Sequence, residues 1–266
     1  MDFERVKVDA HGRVGVLTLN HPEVMNAVGP EMLKGLMAAM SYVESAETGL
    51  RALVMTGQGR GFCAGANLSG GSSASEFGAG DRDAGAALET IYHPFLRRLR
   101  NLEMPFVTAV NGAAAGVGMS FAMMGDIILA ARSAYFLQAF RRIGLVPDGG
   151  STWLLPRLVG LARAKELSLL GEELSAEKAL EWGLINRVTD DNALMPQAMA
   201  LAEELAAGPT VALRLIRKLY WDSPNNTYEE QLNAERQAQK EAGRAEDFAE
   251  GISAFLQKRK AAFKGR

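Results

Sequence analysis

The 266 residues contain one cysteine, Cys63, so no intrachain disulfide can form, and the chain reads as one kept in a reducing, cytoplasmic setting. Histidine is almost as scarce. His11, His21 and His93 are scattered, with no Cys, Asp or Glu at metal-ligand spacing, so no metal site is expected. No apolar run reaches the roughly 18 residues of a membrane span. Met1-Asp2-Phe3-Glu4-Arg5 lacks the basic-then-apolar order of a signal peptide. Neither sign of charge dominates: a formal net charge of −2 does not suit a nucleic-acid binder, which would show a basic face. Gly57-Gln58-Gly59 is not followed by Lys-Ser/Thr at phosphate-loop spacing, so a nucleotide loop is excluded there.

What is present is ordinary for a globular enzyme: 48% hydrophobic and 23% charged residues, in a chain long enough for one large domain or two smaller ones. Val6–Ala10 and Val14–Asn20 read as a hairpin turning at His11-Gly12. Pro30 opens an amphipathic helix to about Glu44, with Met32, Leu36, Met37 and Met40 at helical spacing. Leu50–Thr56 and Phe106–Asn111 are buried strands, and Asp126–Ala131 is another. A helix is expected over Ala86–Leu102 and a short one over Met119–Met124. The Gly-, Ser- and Ala-rich stretch Ser69–Asp83 has almost no apolar anchor and reads as a mobile loop. Strand pairs alternating with helices to about residue 190 give an α/β fold. Beyond Val188 only helices remain, at about 192–207, 209–221, 227–242 and 245–262. The charged amphipathic end is either a solvated surface or an interface.

Two stretches carry the chemistry: Arg60-Gly61-Phe62-Cys63-Ala64-Gly65-Ala66-Asn67-Leu68, and Asn111-Gly112-Ala113-Ala114-Ala115-Gly116-Val117-Gly118-Met119-Ser120. Each follows a buried strand and forms a small-residue turn, against which a ligand can meet bare backbone. Two such turns together can aim two amide N–H groups at one oxygen, forming an oxyanion hole. Cys63 beside the first turn reads as a small buried residue, since nothing nearby would lower its pKa.

These stretches resemble the crotonase (enoyl-CoA hydratase/isomerase) superfamily. The resemblance extends to His21-Pro22-Glu23-Val24-Met25-Asn26-Ala27, Gly144-Leu145-Val146-Pro147-Asp148-Gly149-Gly150, Ser175 through Leu184, and Glu250 through Arg259. It implies a crotonase-type spiral of stacked ββα units over 1–190, carrying an acyl-CoA site, and a C-terminal helical oligomerisation region over 191–266. It implies a homotrimer or dimer of trimers, with no cofactor beyond the coenzyme A of the substrate. It places the oxyanion donors at the backbone N–H groups of Ala66 and Val117. It has Ala27, Ala64 and Ala66 line the coenzyme A path, and brings Phe255 and Lys258 from a neighbouring subunit's tail to the adenine and 3′-phosphate. Lys258-Arg259-Lys260 can equally be read as a solvated basic end.

Hydratases of this family use two glutamates, one to activate water and one to serve the α carbon. Their positions fall here on Ser120 and Phe140, neither of which is a carboxylic acid. Asp148 remains, at a position where non-hydratase branches carry a working carboxylate. The resemblance is strongest to the branch that isomerises the ring epoxide of bacterial phenylacetate degradation. A single carboxylate suits an isomerase, and burial near Phe140, Val146 and Trp153 would raise its pKa. Asp148 could instead cap a helix beginning at Gly149-Gly150. The expected activity is therefore an acyl-CoA isomerase acting on a ring epoxide or an enoyl double bond. The alternatives are an enoyl-CoA hydratase or a non-catalytic acyl-CoA-binding homologue.

Overall fold

The chain opens with three short strands in antiparallel order, β1 (Asp2–Phe3), β2 (Val6–His11) and β3 (Val14–Leu19). Residues 1–68, 83 and 85–266 are described in this computed structural model; the loop expected at Ser69–Asp83 lies outside them apart from Asp83. Helix α1 (Pro30–Val43) follows. Met32, Leu36 and Met40 on its apolar stripe are fully buried, as their three-and-four spacing demands.

Three times in succession the chain then runs a long strand, a tight corner and a short strand. The long strands are β4 (Ala52–Gly57), β6 (Phe106–Val110) and β8 (Ile127–Ala131); the short ones are β5 (Gly61–Cys63), β7 (Ala113–Ala115) and β9 (Tyr135–Leu137). Long strands join the main sheet, ordered β1-β2-β3-β4-β6-β8-β11, and short strands a second sheet, ordered β10-β9-β7-β5. Successive repeats pair in parallel within each sheet. Helices follow the short strands: α2 (His93–Arg100) after β5, α3 (Val117–Met123) after β7, and α4 (Ser151–Val159) after β9 and a 3₁₀ turn. This is the ββα spiral that the resemblance implies. Every residue of β4 and β6 is buried, so these strands read as continuous apolar runs, as parallel strands covered on both faces do.

The corners are held by two asparagines. The buried Asn26 donates from Nδ2 to the carbonyls of Gln58 (3.0 Å) and Gly61 (2.8 Å), while its Oδ1 accepts from the His21 N–H (2.8 Å). Asn111 Oδ1 accepts from the Gly57 N–H at 3.0 Å, and its Nδ2 donates to the Gly59 carbonyl at 2.9 Å. The His21–Ala27 segment is thereby fastened to the corner that leads into the first glycine turn.

After α5 (Leu161–Leu170), β10 (Glu173–Ser175), α6 (Ala176–Trp182) and β11 (Arg187–Thr189), the chain is helical: α7 (Leu194–Ala206), α8 (Thr210–Asp222), α9 (Tyr228–Ala242) and α10 (Glu246–Leu256). The last helix ends six residues before the expected 262. Lys258 takes a left-handed φ of 53°, the Lys258 N–H donates to the Phe255 carbonyl and the Arg259 N–H to that of Ala254. That is a Schellman stop with lysine in the place glycine usually takes. Phe255 and Lys258 therefore do not share a helical face.

A buried arginine ties the tail to the spiral. Arg217 on α8 bonds the Asp126 carboxylate at 2.7 Å and donates to the carbonyls of Leu99, Arg100 and Leu102. It thus satisfies carbonyls that the end of α2 leaves unpaired. Burial raises the Asp126 pKa, and the Arg217 charge opposes that rise.

Candidate active site

The two glycine turns meet. Cys63 pairs with Ala114 across β5 and β7, which sets the loops after these strands side by side. Gly65 has a φ of 103°, and a Cβ there would lie 3.0 Å from the Ala115 carbonyl oxygen and 3.8 Å from the Gly116 Cα. Only glycine allows that approach without strain. Val28 bridges to Ala66: its N–H donates to the Gly65 carbonyl (2.7 Å) and its carbonyl accepts from the Asn67 N–H (2.9 Å). In this parallel pairing the N–H of Ala66 points away from Val28. Val117 is the first residue of α3, two residues earlier than the helix start expected at Met119, so its N–H is one of the helix's orphan donors. The α3 dipole favours negative charge at the same end. An oxygen between these turns can be met by two backbone donors.

Asp148 sits on the loop that closes over α3. A Cβ at Gly149 would lie 2.7 Å from the Ser120 Cβ and 3.4 Å from the Val117 Cγ2, which fixes how closely this loop approaches the second turn. Ser120 Oγ donates to the Asp148 carbonyl at 3.0 Å and lies 2.7 Å from Ser151 Oγ. Phe140 is buried with its ring tip 3.8 Å from where a Gly116 Cβ would stand. The two places expected for hydratase glutamates thus hold a hydroxyl that anchors the Asp148 loop and an apolar wall.

The capping role considered for Asp148 is not observed. Helix α4 starts at Ser151 with Gly150 as N-cap and no side-chain cap bond; Asp148 contributes only its backbone carbonyl, to the Ser151 N–H at 3.0 Å. Its Oδ1 is buried and has no hydrogen-bond partner among the described residues. A half-buried carboxylate in that position loses solvation, and its pKa is pushed up to about 6, with the His93 charge opposing the rise. Val146, expected to help shield it, is 78% exposed and contributes nothing of that kind.

Of the residues expected along the coenzyme A path, Ala27, Ala64 and Ala66 come together around the Val28 bridge. The Ala27 N–H donates to the Val24 carbonyl (3.1 Å) and the Ala64 N–H to that of Met25 (3.0 Å). What these two alanines can offer a ligand is therefore a carbonyl oxygen and a small apolar surface. Phe255, 82% exposed, lines an apolar groove among α8, α9 and α10 that none of the spiral residues lines, so one chain does not unite it with Ala66. Cys63 is buried, and burial pushes its thiol up to about 12. Among the described residues no cluster of three His, Cys, Asp or Glu is placed to hold a metal, and no helix is long and apolar enough to cross a membrane.

Two neighbours of Asp148 escaped the sequence reading. Tyr92 and His93 stand where a π-helical turn (Leu88–Tyr92) passes into α2, and both interact electrostatically with Asp148. Their only signal in sequence is a Tyr-His-Pro run inside an otherwise regular helical pattern.

A model of the family described as enoyl-CoA hydratase/isomerase matches residues 9–266. A 1,2-epoxyphenylacetyl-CoA isomerase of Escherichia coli (strain K12) is 47% identical over 259 residues, which cover 97% of this chain and 98% of that protein. A protein of Rhodobacter capsulatus named "probable enoyl-CoA hydratase" is 40% identical over 270 residues, 100% of both chains. The solved structure of an enoyl-CoA hydratase/isomerase from Cupriavidus metallidurans CH34 has a TM-score of 0.91 at 31% identity, covering 100% of this chain and 98% of that one. Isomerase and hydratase names both occur among these relatives, so kinship alone does not choose the reaction. Spiral, paired turns and whole-length similarity together make the chain a member of the enoyl-CoA hydratase/isomerase (crotonase) family.

Proposed function

We propose that the protein isomerises an acyl-CoA, using Asp148 as its single acid/base and the N–H groups of Ala66 and Val117 as an oxyanion hole. The observation that carries this reading is the buried Oδ1 of Asp148 beside the second turn, which has no hydrogen-bond partner among the described residues, with no other carboxylate at Ser120 or Phe140. The thioester carbonyl oxygen accepts from both N–H groups. Asp148 takes a proton from the carbon next to the carbonyl, and the electron pair moves onto the thioester oxygen as an enolate. Preorganised donors stabilise that charge, each contributing roughly 2.7–4 kcal/mol. With a 3-enoyl chain the negative charge extends to C4. Asp148 returns the proton there, and a conjugated 2-enoyl-CoA results with no atom gained or lost. Similarity to the E. coli enzyme favours a ring epoxide as the natural acyl group.

Turnover of a 3-enoyl-CoA in deuterated water tests this reading. The expected product is a conjugated 2-enoyl-CoA, carrying deuterium at C4 only to the extent that the Asp148 proton exchanges with solvent before it is returned; unchanged substrate would leave a binding protein instead. Hydration of crotonyl-CoA is expected to be at least 10²-fold slower than this isomerisation, since a general acid–base group typically contributes that much and the second one is missing. Fast hydration would replace the isomerase by a hydratase.

The reading extends to assembly. Phe255 and Lys258 serve the coenzyme A of a neighbouring subunit in a trimer or dimer of trimers. Lys258→Ala is then expected to weaken acyl-CoA binding about tenfold, the worth of one charge-assisted phosphate contact near 1.4 kcal/mol. Sedimentation should give three or six copies. A monomer that binds equally well with and without Lys258 would remove this part.

A further inference from the structure

The proposed reaction assigns Asp148 to the moving proton and two backbone amides to the thioester oxygen. It leaves the Tyr92 hydroxyl, at the same place, without a task. Pro94 lies at the second position of α2, where it has no N–H to give and its ring crowds the carbonyl four residues back. The preceding turn widens to the π form, Leu88–Tyr92, as such turns often do at functional sites. That wider turn directs Tyr92 inward. Its hydroxyl meets the Val28 carbonyl at 3.4 Å. The same carbonyl already accepts from the Asn67 N–H at 2.9 Å, and ordinary O–H···O bonds are 2.5–3.0 Å long. The hydroxyl is therefore only loosely engaged, one residue pair away from the Ala66 donor. Burial, and after it the Asp148 charge, raises its pKa, so it stays a neutral donor at any physiological pH. It thus faces both halves of the proposed site.

Resting on the isomerase reading, we infer that the Tyr92 hydroxyl donates a hydrogen bond to an oxygen atom on the acyl group. It would make the protein select ring-oxygenated acyl-CoA thioesters over their hydrocarbon analogues. A site that must leave a buried donor unpaired can reject the wrong ligand by 10⁴ or more. Tyr92 keeps the Val28 carbonyl as a fallback partner, so the expected preference is far smaller, about tenfold, the worth of one neutral hydrogen bond.

The test is binding, measured by calorimetry with two probes that differ by one oxygen, 2-hydroxyphenylacetyl-CoA and phenylacetyl-CoA. The protein is expected to bind the first about tenfold more tightly. In Tyr92→Phe that preference should fall to within about twofold, with phenylacetyl-CoA affinity and the urea unfolding midpoint nearly unchanged. A preference that survives in the variant overturns the inference. So does an equal loss for both ligands, which is what a purely structural Tyr92 would give, or no preference in the unsubstituted protein. The comparison of ligands on the unsubstituted protein needs no variant and so does not depend on the variant folding. No turnover is involved either, so failure of the isomerase reading would show separately, as absence of 2-enoyl product.

Discussion

Asp148→Asn is expected to cut isomerisation by about 10²–10⁴-fold and, in the same protein, to raise stability at pH 7 by about 1 kcal/mol. The first effect follows from removing the only proton carrier proposed for the site while keeping its shape. The second follows from burial. The carboxyl's pKa is raised in the folded protein from 3.8 to about 6, so the native state holds that proton more tightly than the unfolded chain does. Stability therefore falls as pH rises from about 4 to about 6, and the full penalty stands above that range. The complete shift would be worth roughly 3 kcal/mol. Solvent reaches a half-buried carboxylate, which reduces the expected gain to about 1 kcal/mol. Asparagine carries no charge to desolvate and escapes the penalty. The unsubstituted enzyme should show kcat/KM rising with pH to a plateau, with a midpoint near about 6, because the base must be ionised to act. Acyl-CoA binding should persist in the variant. A variant that folds, binds and turns over at the unsubstituted rate would deny Asp148 its role, and one that lost stability would contradict the burial argument.

Such a trade between stability and activity marks where sequence reading works and where it stops. The alternation of strands and helices was legible because each long strand is an unbroken apolar run and each corner is a cluster of small residues; that these stack as ββα units was implied by the family resemblance alone. The paired turns were legible in their small residues, since Gly65 and Gly116 adopt backbone geometries that few other residues tolerate. The early end of the last helix was not. Polar residues from Gln257 onward continue a helical pattern, and only the fold-back of Arg259 onto Glu250, at 2.7 Å, shows that a tertiary contact has won. Arg217 was hidden among the charges of an amphipathic helix, because nothing local distinguishes an arginine that faces water from one that bonds three carbonyls. Asp148 was legible as a carboxylate near a helix start, but cap and free acid have the same sequence signature. The structure separates them, since the side chain makes no cap bond. Tyr92 and His93 come within electrostatic reach of Asp148 only through chain folding over more than fifty residues, a proximity that no local pattern encodes.

Gly118→Ala is expected to lower isomerisation by about 10²–10³-fold with little change in acyl-CoA affinity. Gly118 is the second residue of α3 and faces the first turn. A Cβ built there would lie 2.1 Å from the Cys63 carbonyl oxygen and 2.7 Å from the Cys63 Cβ. Real side chains do not approach so closely, and the obstacle is backbone, which cannot rotate aside. Helix α3 or the Cys63 strand must therefore retreat by about 1 Å, a displacement that can cost about 10²-fold when it falls on a reacting geometry. Here it falls on the joint between the two donors: Val117 precedes Gly118 on one side, and Ala66 lies three residues after Cys63 on the other. Parting the turns lengthens one of the two N–H···O bonds while leaving the Asp148 carboxylate itself in place to carry the proton. Gly29→Ala is the control. It stands beside Val28, but its Cβ would meet only the Asn67 Cβ at an ordinary 3.8 Å, and its φ of −118° suits any residue. That variant should retain activity within about twofold, since a cap Gly→Ala change costs roughly 1 kcal/mol or less of stability and does not displace either donor. Both variants are to be assayed well below their unfolding temperatures, with binding and turnover measured separately. If Gly118→Ala turns over like the control, or loses affinity and rate in proportion, the meeting of the two turns does not form the oxyanion hole.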